Sequence, residues 1–180
     1  MTDKSEIGTY WWNEFQKAFN SAYEDSFETQ RKLEYESLKK TIEYFNSTAN
    51  AKELSDLMFA HWIKPPIFEE SKQFFEMCPV PIYVVSNIDR DDVLKAIEYH
   101  GLKPNGIFTS EDAKSYKPRK ELFQFALNST GLSAEQVVHI GDSLSSDIKG
   151  ASAVGINAIW INRSKRAVSY THLRAHETSA

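Results

Sequence analysis

The stretch Val137-Val138-His139-Ile140-Gly141-Asp142-Ser143-Leu144-Ser145-Ser146-Asp147-Ile148-Lys149-Gly150 decides how this chain folds. Its short, β-branched start is flanked by polar residues and predicts a buried parallel strand over residues 137–140. Asp142 then follows the carboxyl end of that strand, where open α/β sheets bind ligands. Gly141 is expected to let the backbone turn sharply, and the helix after it, rich in small residues, is expected to lie close to the sheet.

Two acids in this stretch, Asp142 and Asp147, are candidate metal ligands. Two carboxylates brought together repel each other, so a cation between them is expected to keep both ionised, and hard oxygen ligands suit Mg²⁺. The alternative is that the two acids only cap a helix, as Asp often does. This stretch alone leaves both interpretations open.

The composition of the chain limits the classes of protein to which it can belong. The 180 residues are 41% hydrophobic and 13% aromatic, which is typical of a globular protein with a buried core. The net charge of −4 is spread without a basic stripe, so nucleic acid is not an expected partner. Cys78 is the single cysteine and no apolar run approaches the length of a membrane span. A cytoplasmic protein with no membrane partner is expected.

The order of apolar patterns along the sequence divides the chain into a helical segment and a segment of alternating strands and helices. Residues 6–66 carry aromatic and aliphatic side chains at helical spacing and predict a helical bundle that ends at Pro65-Pro66. Residues 67–163 alternate short strands with helices, which is typical of βαβ units and a parallel sheet. The predicted strands cover residues 82–85, 106–109, 137–140 and 158–161, and Pro118 is expected to begin the helix 118–129.

The tail, residues 164–180, has no periodicity. The run from Val168 to Thr178 resembles translated sequencing adapter more than native protein, so it is left out of the fold prediction. A disordered, non-native tail is expected, and its histidines are not counted as metal ligands.

Polar side chains follow successive predicted strands. Ser86 and Asn87 follow the first strand, Lys117 lies in the loop after the second, and Asp142 follows the third. Because the carboxyl ends of parallel strands face one side of a sheet, we expect these groups to converge on one cleft. A hydroxyl, a fixed ammonium and paired acids with a cation suit the handling of phosphate.

Each residue also has a simpler interpretation. Ser86 could be a helix N-cap, and Lys117 could be an ordinary surface lysine. His139 lies in the middle of a strand and is expected to be a packed core histidine. Cys78 is expected to be an inert, buried thiol. Order and placement at consecutive strand ends favour the functional interpretation of the set.

The pattern of strand-Ser86-Asn87, Lys117-Pro118 and Gly141-Asp142-Ser143-x-x-x-Asp147 resembles motifs two, three and four of the haloacid dehalogenase-like (HAD) hydrolase superfamily. The helical block resembles that superfamily's helical cap, beside a Rossmann-like α/β core. The resemblance implies that Ser86 and Asn87 contact a transferred phosphoryl group and that Lys117 stabilises the nucleophile and the phosphate. It also implies that Asp142 binds Mg²⁺, with Asp147 completing its shell.

The superfamily's first motif, a strand followed by Asp-x-Asp that supplies the nucleophile and the general acid/base, has no counterpart here. Asp89-Arg90-Asp91 has the spacing, but Ser86-Asn87 already occupies the strand end and Asp89 stands at a helix start, where the dipole favours acids. We therefore interpret the chain as a truncated copy whose first, central strand is missing. An unstable and inactive product is expected, because unpaired backbone edges are left in the sheet.

The function that the resemblance implies is a Mg²⁺-dependent phosphatase of a small phosphorylated metabolite, acting through a phospho-aspartyl intermediate. One alternative is a metal-free 2-haloacid dehalogenase of the same superfamily, which the paired acids disfavour. Another is a non-catalytic helical interaction domain on a degenerate scaffold. A phosphoacceptor receiver domain is disfavoured by the cap-like helices. Substrate identity and oligomeric state are left open.

Overall fold

The structure, a computed structural model, describes residues 3–163 and 175–178. The chain forms two compact units, Met1–Lys114 and Ser115–Ala180. The sequence predicted a division after residue 66, whereas the first unit also contains the strands and helices up to residue 114. That cap and core division stays a prediction. Among the residues described, no helix is both long and apolar enough to cross a bilayer.

Three helices open the first unit, as the helical spacing predicts: α1 Lys4–Ser21, α2 Gln30–Tyr44 and α3 Ala51–Ile63. Each follows a residue whose side chain accepts a backbone N–H of the first turn, which satisfies a donor that the helix leaves unpaired. These N-cap residues are Asp3, Thr29 and Asn50. Phe15, Leu33 and Phe59, one from each helix, are buried, so the apolar stripes supply bundle interior.

The first unit continues with alternating helices and strands: α4 Glu69–Met77, β1 Tyr83–Ser86, α5 Arg90–His100, β2 Gly106–Thr109 and α6 Ser110–Ala113. β1 and β2 pair in parallel, with Ser86 opposite Thr109. Gly101 ends α5 in the left-handed region at φ 67°, a conformation that glycine adopts without a Cβ clash. The strand–helix–strand pattern predicted for this segment is confirmed.

The second unit has the same alternation: α7 Lys120–Thr130, β3 Val138–Gly141, a π-helical turn Leu144–Lys149 that continues into α8 Gly150–Ser152, β4 Asn157–Ile161 and β5 Ala175–Thr178. Its strands are parallel in the order β3-β4-β5. The buried core of this unit consists of Phe123, Ile148, Ala151, Ile156, Ala158 and Trp160. Helices therefore pack against the parallel sheet, and the predicted α/β class is confirmed.

Strand β3 differs from its prediction in burial. It is parallel, but Val138 and Ile140 are 56% and 42% exposed, whereas His139 between them is half-buried. Successive side chains of a strand point to opposite faces. One face of β3 therefore packs inward and the other is open, so the prediction of a strand buried on both faces is wrong.

Two boundaries also differ. Helix α7 begins at Lys120, because Lys117 and Pro118 form a turn in which the N–H of Arg119 donates to the carbonyl of Tyr116 at 3.0 Å. Pro118 therefore precedes the helix and is not its first residue. The disorder predicted for residues 164–180 is wrong for Ala175–Thr178, which pairs with β4 and satisfies the backbone groups along that edge. The rest of the tail lies outside the described residues.

Candidate active site

Lys117 and Asp147 form a buried ion pair at the centre of the second unit's polar cluster. The Lys117 Nζ donates to Asp147 Oδ1 at 2.7 Å, and the two residues are only 8% and 6% exposed. Lys117 is therefore not a surface lysine. The cation expected beside Asp147 is the ammonium of Lys117, which supplies the counter-charge.

The same carboxylate has two further partners. His139 Nε2 lies 3.3 Å from Asp147 Oδ1, and the backbone N–H of Ser143 donates to Oδ2 at 3.0 Å. The His139 ring also packs edge-on against Phe123, with centroids 5.2 Å apart. His139 therefore packs, as predicted, and also contacts the candidate site, which the sequence analysis missed. The strand period was the available signal, because it puts His139 on the same face as Gly141, next to Asp142.

The surroundings of Asp147 favour its charged form. Burial alone would raise the pKa of this carboxyl, but the hydrogen bond with His139, the charge and hydrogen bond of Lys117 and the N–H of Ser143 together hold the pKa well below its usual range. Asp147 is consequently a fixed negative charge. Its role in this arrangement is to hold the ammonium of Lys117 in place.

Two glycines make room for this cluster. A Cβ on Gly141 would overlap the Asp147 carboxyl, and a Cβ on Gly150 would come within 2.6 Å of the Phe123 ring. Gly141 is the last residue of β3 and is not among the residues with positive φ. Gly141 therefore permits the close approach of a side chain, and the sharp turn predicted at this position is wrong.

Asp142 is the exposed acid of the pair. Its backbone carbonyl accepts the indole N–H of the buried Trp160 at 3.0 Å, which fixes the end of β3. The cap of the turn that follows is Ser143, whose Oγ accepts the N–H of Ser146 at 3.1 Å. Helix capping is therefore done by the serine between the acids, and the capping interpretation of Asp142 and Asp147 is wrong.

The residues fit a weakly held, hydrated Mg²⁺. Asp142 offers an exposed carboxylate at a strand end, whereas both oxygens of Asp147 already accept hydrogen bonds. Mg²⁺ usually keeps several waters and takes only one or two carboxylates. Within residues 3–163 and 175–178, no group of three or more His, Cys, Asp or Glu side chains is placed to hold a metal. A tight all-protein site is thus not formed by these residues.

Ser86 is the last residue of β1, in the first unit, and Asn87 follows it directly. The Ser86 Oγ accepts the backbone N–H of Ile88 at 3.1 Å, and the Ser110 hydroxyl donates to the Asn87 carbonyl at 2.9 Å. Helix α5 begins later, at Arg90, so Ser86 is not a helix N-cap. These contacts fix the loop at the strand end. The convergence of this loop with Lys117 and Asp142 on one cleft stays a prediction.

Asp89, the residue whose spacing with Asp91 resembles the family's first motif, has a structural role. Its Oδ1 accepts the N–H of Gln30 at 2.7 Å and its Oδ2 accepts the N–H of Arg31 at 2.9 Å, so it caps α2. Arg31 in turn donates through Nε and Nη2 to the buried Asp92 at 2.7 and 2.6 Å. Asp89 is the N-cap residue of α5, at a helix start as predicted, and its carboxylate accepts the N–H groups of a second helix, α2.

A profile described as haloacid dehalogenase-like hydrolase matches residues 2–161. The chain belongs to this family. The curated relatives include the HAD-hydrolase YfnB of Bacillus subtilis, 38% identical over 84 residues that make up 45% of this chain and 36% of the relative. Phosphoserine phosphatase of Thermus thermophilus is 24% identical over 123 residues, 64% of this chain and 49% of the relative.

Solved structures agree on the fold. The chain superposes on magnesium-bound YfnB from Bacillus subtilis with a TM-score of 0.72 at 21% identity, over 99% of this chain and 80% of that one. For the L-2-haloacid dehalogenase PA0810 the TM-score is 0.79 at 15% identity, over 99% and 81%. At such identities these structures establish a HAD-like α/β fold. The chain spans between about a third and a half of the curated relatives cited above.

Proposed function

We propose that these residues belong to a Mg²⁺-dependent phosphatase of a small phosphorylated metabolite. The observation that carries the proposal is the buried Lys117–Asp147 pair beside the exposed carboxylate of Asp142. A fixed ammonium attracts the oxygens of a phosphoryl group, and its charge is held in position before the substrate arrives. In this proposal the catalytic groups are the ammonium of Lys117 and the hydroxyl of Ser86.

Each remaining residue has a task in this proposal. Ser86 and Asn87 bind phosphoryl oxygens from the strand end, and Asp142 with waters holds the metal, supported by the charge of Asp147. Mg²⁺ would offset the negative charge that develops as the phosphoryl group is transferred. Relatives described as phosphoserine phosphatase, glyceraldehyde 3-phosphate phosphatase and pyrimidine 5′-nucleotidase support a small phosphorylated substrate. A cytoplasmic location stays a prediction.

Dehalogenation is the second candidate, and one observation favours it. Asp147 obtains its counter-charge from Lys117, so this pair needs no metal. Several matching structures are also described as L-2-haloacid dehalogenases. The two reactions differ in metal dependence and in product, phosphate in one and halide in the other. The interaction-domain alternative predicts neither product under any condition.

The test compares the 180-residue chain with a longer chain that carries a strand ending in Asp-x-Asp before the helical block. The short chain is expected to hydrolyse no p-nitrophenyl phosphate, because no candidate nucleophile follows its strands in that pattern. The longer chain is expected to hydrolyse it with Mg²⁺ and to lose this activity with EDTA, with Lys117→Met and with Asp142→Asn. Lys149→Met, at an exposed position, is the matched control and is expected to stay active.

Robust hydrolysis by the short chain would contradict the expected inactivity. Metal-independent release of chloride from L-2-chloropropionate by the longer chain would favour the dehalogenase instead. Titration of Mg²⁺ into the short chain is expected to give weak binding, because both oxygens of Asp147 already accept hydrogen bonds. Tight binding that depends on Asp142 would contradict that expectation.

A further inference from the structure

Two residues of the first unit share an unfavourable backbone conformation. Glu24, between α1 and α2, has φ 48°, and Lys114, at the end of α6, has φ 49°. Left-handed angles are disfavoured for residues that carry a Cβ, and neither side chain is of the short polar kind that tolerates them. The N–H of Glu24 donates to the carbonyl of Lys114 at 3.0 Å, so the two strained residues are joined. Strain of this kind persists only where surrounding contacts fix the backbone, and it is concentrated at functional sites.

A second interaction joins the same two segments. The Lys114 Nζ lies 5.2 Å from the centre of the Phe27 ring, within the range of a cation–π interaction. Phe27 in turn donates its N–H to the carbonyl of Glu24 at 3.0 Å, which closes a short 3₁₀ turn. The side chain of Glu24 is exposed. The contact with Lys114 therefore depends on the backbone of Glu24 and not on its carboxylate.

From Lys114 the contacts continue to the loop after β1. Lys114 directly follows the short helix α6, whose first residue, Ser110, is fully buried. The start of this helix is fixed, because the N–H of Thr109 donates to Asp112 Oδ2 at 2.7 Å. The Ser110 hydroxyl donates to the carbonyl of Asn87 at 2.9 Å. Helix α6 therefore links the strained contact at its end to the phosphoryl-binding loop at its beginning.

The contacts return to the helical block through Asp89. Its carboxylate accepts the N–H groups of Gln30 and Arg31, at 2.7 and 2.9 Å. These two residues begin α2 and follow Glu24 in the same connection, and all of the contacts lie within the first unit. The contacts thus form a closed ring, whose members are Glu24, Lys114, Ser110, Asn87, Asp89 and the first turn of α2.

We propose that this ring fixes the loop of Ser86 and Asn87 for phosphoryl binding, and that Glu24 and Ser110 are positioning residues for that step. The inference rests on the proposed phosphatase function. Loops are normally more mobile than the elements that they connect, whereas groups that stabilise developing charge act best when they are held in place beforehand. The ring supplies that restraint. Because both of its residues are strained, the contact between Glu24 and Lys114 is the point at which the ring is expected to open.

The variant Glu24→Pro opens the ring at this contact. Proline lacks the N–H that donates to Lys114 and holds φ at about −65°, and Tyr23 before it is already extended, as the residue before a proline prefers to be. Glu24→Gly is the matched control, because glycine keeps the N–H and adopts a positive φ without strain. Ser110→Ala opens the ring at a second point, since it removes the hydroxyl that donates to Asn87, and it keeps the test decisive if proline prevents folding.

Amide hydrogen exchange in the 180-residue chain, followed by NMR, tests the ring directly. The reporter is the N–H of Ile88, which donates to the Ser86 hydroxyl at 3.1 Å, and the amides of α3 report on global opening. Glu24→Pro and Ser110→Ala are expected to speed exchange at Ile88 by roughly tenfold or more relative to α3, and Glu24→Gly is expected to leave it within about twofold. Unchanged exchange at Ile88 in both ring variants, or an equal rise in Glu24→Gly, would overturn the proposal.

The longer chain that carries a strand ending in Asp-x-Asp tests the role in the reaction. With both variants folded by circular dichroism, Glu24→Pro is expected to lower kcat/KM for p-nitrophenyl phosphate by roughly tenfold or more, and Glu24→Gly is expected to retain it. Phosphatase activity that Glu24→Pro leaves unchanged would overturn the positioning role. If the longer unmodified chain has no phosphatase activity, the proposed function fails, and exchange at Ile88 still decides whether the ring holds the loop.

Discussion

Gly141 faces the carboxyl group of Asp147 so closely that a single methyl group between them would overlap it. The glycine ends β3, and the acid lies one turn into the segment that follows. Because Asp147 also binds Lys117, the position of the ammonium depends on a residue that carries no functional group. The geometry of this polar cluster is therefore set by packing against the strand end.

The first prediction concerns this contact. Gly141→Ala is expected to displace Asp147 and to destabilise the fold by about 1–3 kcal/mol, as overpacking of a tight site does. Gly8→Ala is the matched control, because nothing lies within 4 Å of the new methyl group. It is expected to stabilise the fold by about 0.5–1 kcal/mol, since alanine favours a helix. Urea unfolding of both variants measures the two opposite changes, and a loss of stability in both would contradict the argument.

The second prediction concerns the ion pair itself. Lys117→Met leaves the buried Asp147 carboxylate without its ammonium and is expected to cost about 3–5 kcal/mol in the free energy of unfolding. Lys149→Met, at an exposed position, is the control and is expected to change it by less than about 0.5 kcal/mol. Guanidinium unfolding at neutral pH provides the measurement. Equal stabilities of the two variants would show that the pair contributes nothing.

The pH dependence of stability gives a third prediction. The pKa of Asp147 is depressed in the folded state, so the stability that it contributes is present above its unfolded pKa of about 3.9 and is lost as the pH falls further. Asp147→Asn is expected to be less stable at pH 7 and to show a smaller acid-induced loss than the unmodified chain. Unfolding curves measured from pH 7 down to acid conditions test this, and parallel losses in both proteins would contradict it.

Asp89 provides a fourth prediction, on the link between α2 and the start of α5. Asp89→Ala removes the carboxylate that accepts the N–H groups of Gln30 and Arg31 at the start of α2, and it is expected to destabilise the first unit by about 1–2 kcal/mol. Asp91→Ala, an exposed acid in the first turn of α5, is the control and is expected to have a smaller effect. Hydrogen exchange of the amides of Gln30 and Arg31 reports the loss locally. Unchanged protection at these amides would rule out the capping role.

Glu34 supplies the fifth prediction, with the opposite sign in pH. It is 2% exposed, and burial raises its pKa to about 7, although a hydrogen bond from Gln30 opposes this. The unfolded chain ionises first, so stability falls by roughly 3 kcal/mol as the pH rises from about 4.5 to 7. Glu34→Gln is expected to remove this loss, and the exposed Glu36→Gln is expected to retain it. Denaturant midpoints at several pH values test both variants.

Much of this fold follows from local pattern. The bundle helices α1 to α3 were predicted from apolar side chains at helical spacing, and the strands β1 to β4 were predicted from short apolar runs between helices. Gly101 ends α5 because glycine adopts the left-handed conformation found there without strain. The order of Ser86, Lys117 and Asp142 at strand ends was enough to identify the family.

The sequence by itself determined the class of fold and the family, because these depend on residue type and spacing along the chain. The tertiary structure decided which groups meet: Asp147 with Lys117 and His139, Asp89 with the first turn of α2, and Gly141 with a side chain six positions later. It also decided that one face of β3 is exposed. Such contacts join distant residues through packing and electrostatics, and neither periodicity nor propensity encodes them.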